Sequence, residues 1–221
     1  MSGWGEFLLA LGVFLLSHAI PVRPPVRPWL IAHLGRVGYF TAYSLFSLAV
    51  LGWLILAAAR APYVEVIPPL PALRWVPLLV MPVVCWLAAA GMSIRNPLSF
   101  GGLGRAPFDP DRPGILRVSR HPILLALLLW ALAHLLANGS LAHVILFGLF
   151  AGFAVMGMAL IDRRKARELG QEWQRLSRNT ARLSLSAPKP WPRPWVWLAA
   201  LVAYAALLHL HAPVIGLSPL P

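Results

Sequence analysis

Residues 121–165 read HPILLALLLWALAHLLANGSLAHVILFGLFAGFAVMGMALIDRRK, with no Asp, Glu, Lys or Arg between His121 and Asp162. A helix crossing the hydrocarbon of a bilayer needs about 20 mostly apolar residues, and no fewer than about 17. Leu141 to Ile161 meets that requirement outright. Ile123 to Ala137 is shorter, and only Asn138, Gly139 and Ser140 separate the two runs. The pair therefore reads as a tight helical hairpin, and charge returns abruptly at Asp162, Arg163, Arg164 and Lys165.

Working outward, four more apolar runs appear: Gly3 to Ile20, Gly38 to Ala59, Val76 to Met92 and Trp195 to His211. Their ends are chemically marked. Pro21, Pro24, Pro25 and Pro28 cannot continue the first helix, and Arg95, Asn96 and Pro97 stop the third. The composition agrees: 59% of the 221 residues are hydrophobic and 12% charged, against about 45–50% and about 25% in soluble domains. Low charge and high hydrophobicity exclude disorder, and the 22 prolines follow no collagen or low-complexity period. The expected fold is all-α: a single polytopic membrane domain over 1–221 with six transmembrane helices.

The net charge of +12 invites a nucleic-acid reading, but the basic residues form no stripe interleaved with aromatics in a polar domain. With six spans, one side of the membrane collects 17 of the 19 basic residues, leaving Arg60 and Arg74 on the other. The positive-inside rule then places both termini outside the cytoplasm and the basic loops within it. The first run lacks a basic leader, since Glu6 is the only charge in residues 1–6, and is expected to be retained. Cys85, alone in an apolar run, permits neither an intramolecular disulfide nor a cysteine zinc cluster.

Beyond the fifth span, Ala166, Leu169, Trp173 and Leu176 recur at helical spacing among arginines. This stripe is expected to be an amphipathic helix in the cytoplasmic headgroup layer, or else a solvated continuation of the fifth span. Pro188, Pro190, Pro192 and Pro194 then form an extended spacer.

Polar groups at membrane depth are costly and mark function, so the seven histidines carry the argument. His33, His143, His209 and His211 fall at or near the headgroup layers, and His209 and His211 point roughly 160° apart on a helix. His134 lies deep in the fourth span, with Trp130 and Asn138 on its own face. It is either a packed histidine bonded to backbone or a neutral imidazole of the kind that ligates haem between helices. His121 is 13 residues away, about 20 Å along a straight helix and about 140° around it, so these two cannot share a metal. A second ligand must come from another helix, and His18 is the other histidine well inside a span; on depth alone His18 suits His121 better. His121-Pro122 also marks a helix start, where free amides together with Arg117 and Arg120 attract an anion such as a propionate, phosphate or carboxylate. The plain alternative for these arginines is positive-inside anchoring.

Arg120-His121-Pro122, the run from Leu129 through Ala133-His134-Leu135-Leu136-Ala137-Asn138-Gly139, Ile161-Asp162-Arg163-Arg164-Lys165, and Ser17-His18 together resemble the NnrU family of bacterial inner-membrane proteins. The resemblance extends over about residues 1–180. NnrU proteins are associated with denitrification and nitric oxide metabolism, and the family is similar to the plant 15-cis-zeta-carotene isomerase, which carries haem b. The resemblance implies haem b as cofactor, with His18, His134 and His121 as ligand candidates and Arg117, Arg120, Trp130 and Asn138 around it. Implied partners are the bilayer and either denitrification components or an apolar lipid or polyene substrate, and Trp86, Trp130 and Phe153 are candidates to line its pocket.

The Arg-His-Pro hairpin is also similar to isoprenylcysteine carboxyl methyltransferases, which bind S-adenosylmethionine. In that reading Arg120, His121 and Asp162 form a cytoplasmic donor site. This chain departs from that pattern with Ile123-Leu124-Leu125-Ala126 after His-Pro and Asp162-Arg163 after the hairpin. The residue pattern by itself assigns no catalytic group.

Overall fold

The computed structural model describes residues 3–220, and its described residues form seven α-helices and no strand. They are α1 (Gly3–Ala19), α2 (Val26–Arg60), α3 (Pro71–Ser93), α4 (Pro122–Asn138), α5 (Leu141–Leu169), α6 (Gln171–Ser177) and α7 (Pro194–Ile215). Four of them, α2, α3, α5 and α7, are long and apolar enough to cross a membrane, while α1 and α4 are 17-residue apolar helices. Large apolar side chains stand open along them, Leu48 at 65% and Leu79 at 71% exposure among others. Such surfaces are stable against lipid and unstable in water.

The chain forms two compact units. Unit 1 comprises Met1–Val66 and Ser140–Leu146, and unit 2 comprises Ile67–Gly139 and Phe147–Pro221. In unit 1, α1 packs on α2, burying Phe7, Ala10, Leu54 and Ala57. At one end Glu6 meets Arg60 and Trp53, each at 3.4 Å, and at the other the Tyr39 hydroxyl donates to the Pro21 carbonyl. In unit 2, α3 lies between α4 and α7 over a core that includes Val84, Leu87, Ala90, Leu125 and Val196.

Several boundaries differ from the hydropathy reading, each for a local reason. The second helix begins at Val26 rather than Gly38, because residues 26–34 are already helical and Gly35, at φ 69°, redirects the chain between the two pieces. The third begins at Pro71, and Pro77 and Pro82 lie inside it. The fifth does not stop at Ile161 but runs on to Leu169, so the basic segment opens as a continuation of the span. Gly170 then separates it from the short α6. Along these two helices Ala166, Leu169 and Trp173 are sheltered and Leu176 is buried, whereas Arg167, Glu168, Glu172 and Arg175 are exposed. The apolar stripe is thus the less exposed side of both helices, the second of which, α6, follows the break at Gly170.

Candidate functional site

The densest polar cluster of unit 2 forms where α4 begins. Proline at the first position of α4 leaves His121 as the N-cap residue, with an imidazole that is fully buried. Its Nε2–H donates to Asp162 Oδ1 at 2.9 Å, and its Nδ1 accepts from the Ser99 hydroxyl at 2.9 Å. An ionised carboxylate only accepts, so the Asp162 bond places the proton of the neutral ring on Nε2 and leaves the lone pair on Nδ1 facing Ser99. Burial pushes the His121 pKa below the usual histidine value, opposed by the nearby Asp162 carboxylate.

Asp162 is itself buried, on the turn of α5 that follows the apolar run. Its second oxygen accepts from Arg182 Nε at 2.6 Å, and the Arg120 guanidinium stands 3.9 Å from its first. Arg120 also lies over the Trp173 ring, 5.6 Å from its centre, and its Nε is buried without a hydrogen-bond partner. A buried carboxylate needs such company, since desolvating an unpaired charge is costly.

The segments that deliver these groups are held by backbone bonds. Residues 181–184 run alongside 116–120: Arg120 N–H donates to the Ala181 carbonyl, Ala181 N–H to Leu116 and Ser184 N–H to Val118. The Ser119 hydroxyl adds a bond to the Arg182 carbonyl and accepts from the His121 amide. On the other side, Asn96 Oδ1 accepts from the amides of Leu98 and Ser99, and its Nδ2 donates to the Arg120 carbonyl. The amides of Leu103 and Gly104 return to Met92 and Ile94, closing the loop onto the end of α3.

The histidines named from the sequence fall into different surroundings. His134, on α4, donates from Nδ1 to the Trp130 carbonyl at 2.9 Å, and its ring lies 5.3 Å from that of Trp130 and 5.5 Å from that of Phe147. Asn138 donates to the His134 carbonyl, so Trp130, His134 and Asn138 do share one face. His18, in unit 1, donates likewise to the Phe14 carbonyl at 2.8 Å and packs on Phe14 and Tyr43. Both rings thereby keep Nε2 as the lone-pair nitrogen, the form that ligates a metal. His33 and His209 make the same bond to the fourth carbonyl before them, so it is a helical habit and not by itself the mark of a ligand.

His121 and His134 are not brought together, because α4 runs unbroken between them. No group of three or more metal-ligating side chains occurs among the described residues. Haem needs only one or two protein ligands, so the donor chemistry of His134 fits it. Of the two arginines expected to receive an anion, Arg120 is turned to Asp162 and Trp173, while Arg117 is exposed on a short 3₁₀ turn. The sequence reading did not single out Ser99 or Arg182, took Asn96 only as a helix stop, and gave Ser119 no role of its own within the polar stretch before His121. Each is an ordinary loop residue in the sequence, whereas Arg120 and His121 were marked by the His-Pro helix start and Asp162 by closing 40 residues without Asp, Glu, Lys or Arg.

These features define a helical membrane protein in which His18 and His134 are bonded to their own apolar helices and a charged cluster closes on the buried Asp162. The family model described as NnrU protein matches residues 6–219, and the chain belongs to that family. No curated protein and no solved structure matches it.

Proposed function

We propose that this NnrU-family protein is a six-span protein of the bacterial inner membrane that binds haem b through His134 and serves a redox or sensing role in nitric oxide metabolism. The disposition of His134 carries the reading. Its Nδ1–H is committed to the Trp130 carbonyl, its Nε2 keeps a lone pair, and aromatic rings flank it. A carbonyl bonded to the distal nitrogen fixes the ring and raises its basicity as a ligand. Bound haem would supply one-electron chemistry and affinity for diatomic gases. The protein's part is to orient the imidazole, exclude water and offer Trp130 and Phe147 as apolar walls. Both termini lie outside the cytoplasm in this reading, supported by the 17 basic residues on one side.

A visible spectrum of purified protein, oxidised and reduced, tests the reading. A Soret band is expected that shifts on reduction and with nitric oxide, and that is lost in His134→Ala. No Soret band, or one indifferent to His134→Ala, overturns it.

A second reading, a haem-dependent isomerase acting on an apolar polyene, rests on a groove of about 590 Å³ in unit 2. Val84, Ala88, Met92, Trp195, Ala203 and Leu207 are among the residues lining it. Trp86, Trp130 and Phe153 do not border it. Expression in a carotenoid-producing host tests it: a shifted isomer pattern is expected, and an unchanged one counts against it. For the methyltransferase reading, Arg120, His121 and Asp162 do converge, but both Asp162 oxygens are bonded to protein donors. A calorimetric titration with S-adenosylmethionine, expected to give no binding heat, separates it.

A further inference from the structure

Ser99, His121 and Asp162 stand in line, hydroxyl to imidazole to carboxylate, with both links at 2.9 Å. Haem held through His134, as proposed above, uses none of them. We propose that they form a nucleophilic site at the basic end of unit 2, with Ser99 the nucleophile, His121 its general base and the acyl esters of membrane lipids its substrate class.

The order of groups is the one nucleophilic catalysis needs: a hydroxyl, a neutral imidazole able to take its proton, and a carboxylate that fixes the tautomer and steadies the imidazolium. Here the ring is used in the reverse sense, Nδ1 toward the serine and Nε2 toward the carboxylate, which is chemically equivalent. Asp162 acts through His121 and is a positioning residue. Arg182 donates to its second oxygen and the Arg120 guanidinium stands 3.9 Å from its first, so the carboxylate is held facing the ring.

Accessibility differs along the line in the required direction. His121 is fully buried, Ser99 is half-buried, and the neighbouring Phe100 is half exposed. The amides of Phe100 and Gly101 make no hydrogen bond among the described residues. They are donors of the type that stabilises an oxyanion. The Ser99 loop is held at Asn96 and closed onto α3 by Leu103 and Gly104, and those two residues also form part of the wall of the apolar groove between α3 and α7. One loop thus carries the hydroxyl and borders a channel for an acyl chain, which is why a lipid ester is the substrate class.

The step balances with water as the only co-reactant. Ser99 Oγ bonds to the acyl carbon as its proton passes to His121 Nδ1, and the carbon–oxygen bond to the alcohol breaks as that proton leaves with the alcohol. Water, deprotonated by the same nitrogen, then releases the fatty acid and restores Ser99.

Fluorophosphonate labelling of the purified full-length protein, read by peptide mass spectrometry, tests this. A phosphonyl adduct on Ser99 is expected, absent in Ser99→Ala and formed at least about tenfold more slowly in His121→Gln. No adduct on Ser99, or one formed as fast in His121→Gln, overturns the proposal. Ser99→Cys needs no change to the buried groups and gives an independent reading. With Asp162, Arg120 and Arg182 in place around His121, its iodoacetamide alkylation should titrate below the ordinary cysteine value of about 8.5, as expected beside a base. Titration at the ordinary value overturns the proposal.

Discussion

Asp162 receives His121 on one oxygen and Arg182 on the other, with Arg120 close by, and its side chain is 6% exposed. Removing it leaves a half-buried guanidinium and a buried imidazole N–H without an acceptor. Breaking a buried pair in this way costs about 3–5 kcal/mol, and the low end applies because Arg182 is itself more than half exposed. Asp162→Ala is therefore expected to lose about 3 kcal/mol, read as a lowered Tm in detergent, and a loss below about 1 kcal/mol would mean that the network holds little. His121 adds a pH dependence. Its folded pKa is depressed by burial against the opposing pull of Asp162, so below about pH 6.5 the unfolded chain takes up a proton that the folded one refuses. Its contribution is complete above that pH and is lost as pH falls toward the folded value. Between about pH 7.5 and about pH 5.5 the Tm of the wild type should fall more than that of His121→Gln; parallel curves would contradict this.

At the scale of elements, the hairpin between α4 and α5 depends on Gly139. It caps α4 in the left-handed region at φ 50°, and a Cβ there would stand 2.2 Å from the Ile67 carbonyl oxygen. Gly139→Ala therefore combines strain with a backbone collision and should cost at least about 2 kcal/mol in thermal unfolding. Gly152, inside α5 with nothing within 4 Å of the place its Cβ would occupy, is the control. Gly152→Ala should be neutral or stabilising by up to about 1 kcal/mol, and equal losses at both sites would refute the account. The hairpin was legible in the sequence because a polar Asn-Gly-Ser interrupts two apolar runs. The continuation of α5 through Arg163, Arg164 and Lys165 was one of two readings the sequence left open, because hydropathy falls at Asp162 while the helical spacing of apolar residues runs on. Along it Ala166 and Leu169 are less exposed than Arg163, Arg164, Arg167 and Glu168, and after the break Leu176 is buried and Trp173 lies beneath Arg120.

For the whole molecule, the distribution of charge is the strongest constraint. In the proposed six-span arrangement, 17 of the 19 basic residues share one side and only Arg60 and Arg74 stand on the other. Reporter fusions check the arrangement that follows. A fluorescent protein joined at the C-terminus should be dark and an alkaline phosphatase active there, with the opposite result for fusions after Asn179; the reverse pattern would overturn the proposed orientation.

Apolar length, proline and charge act locally, so the sequence by itself determined a helical membrane protein, the approximate position of its apolar helices and the isolation of His134 from His121 along one helix. The family resemblance, read from the Arg-His-Pro and Ala-His-Leu-Leu-Ala-Asn-Gly stretches, was also available there and agrees with the match over residues 6–219. Only the tertiary structure decided what His121 does with its two nitrogens. Its partners lie 22 and 41 residues away, and the Ser119–Arg182 bond that steadies them spans 63. Periodicity carries no information over such separations. Those bonds are selected because a buried carboxylate and a buried imidazole must find partners wherever the folded chain can supply them.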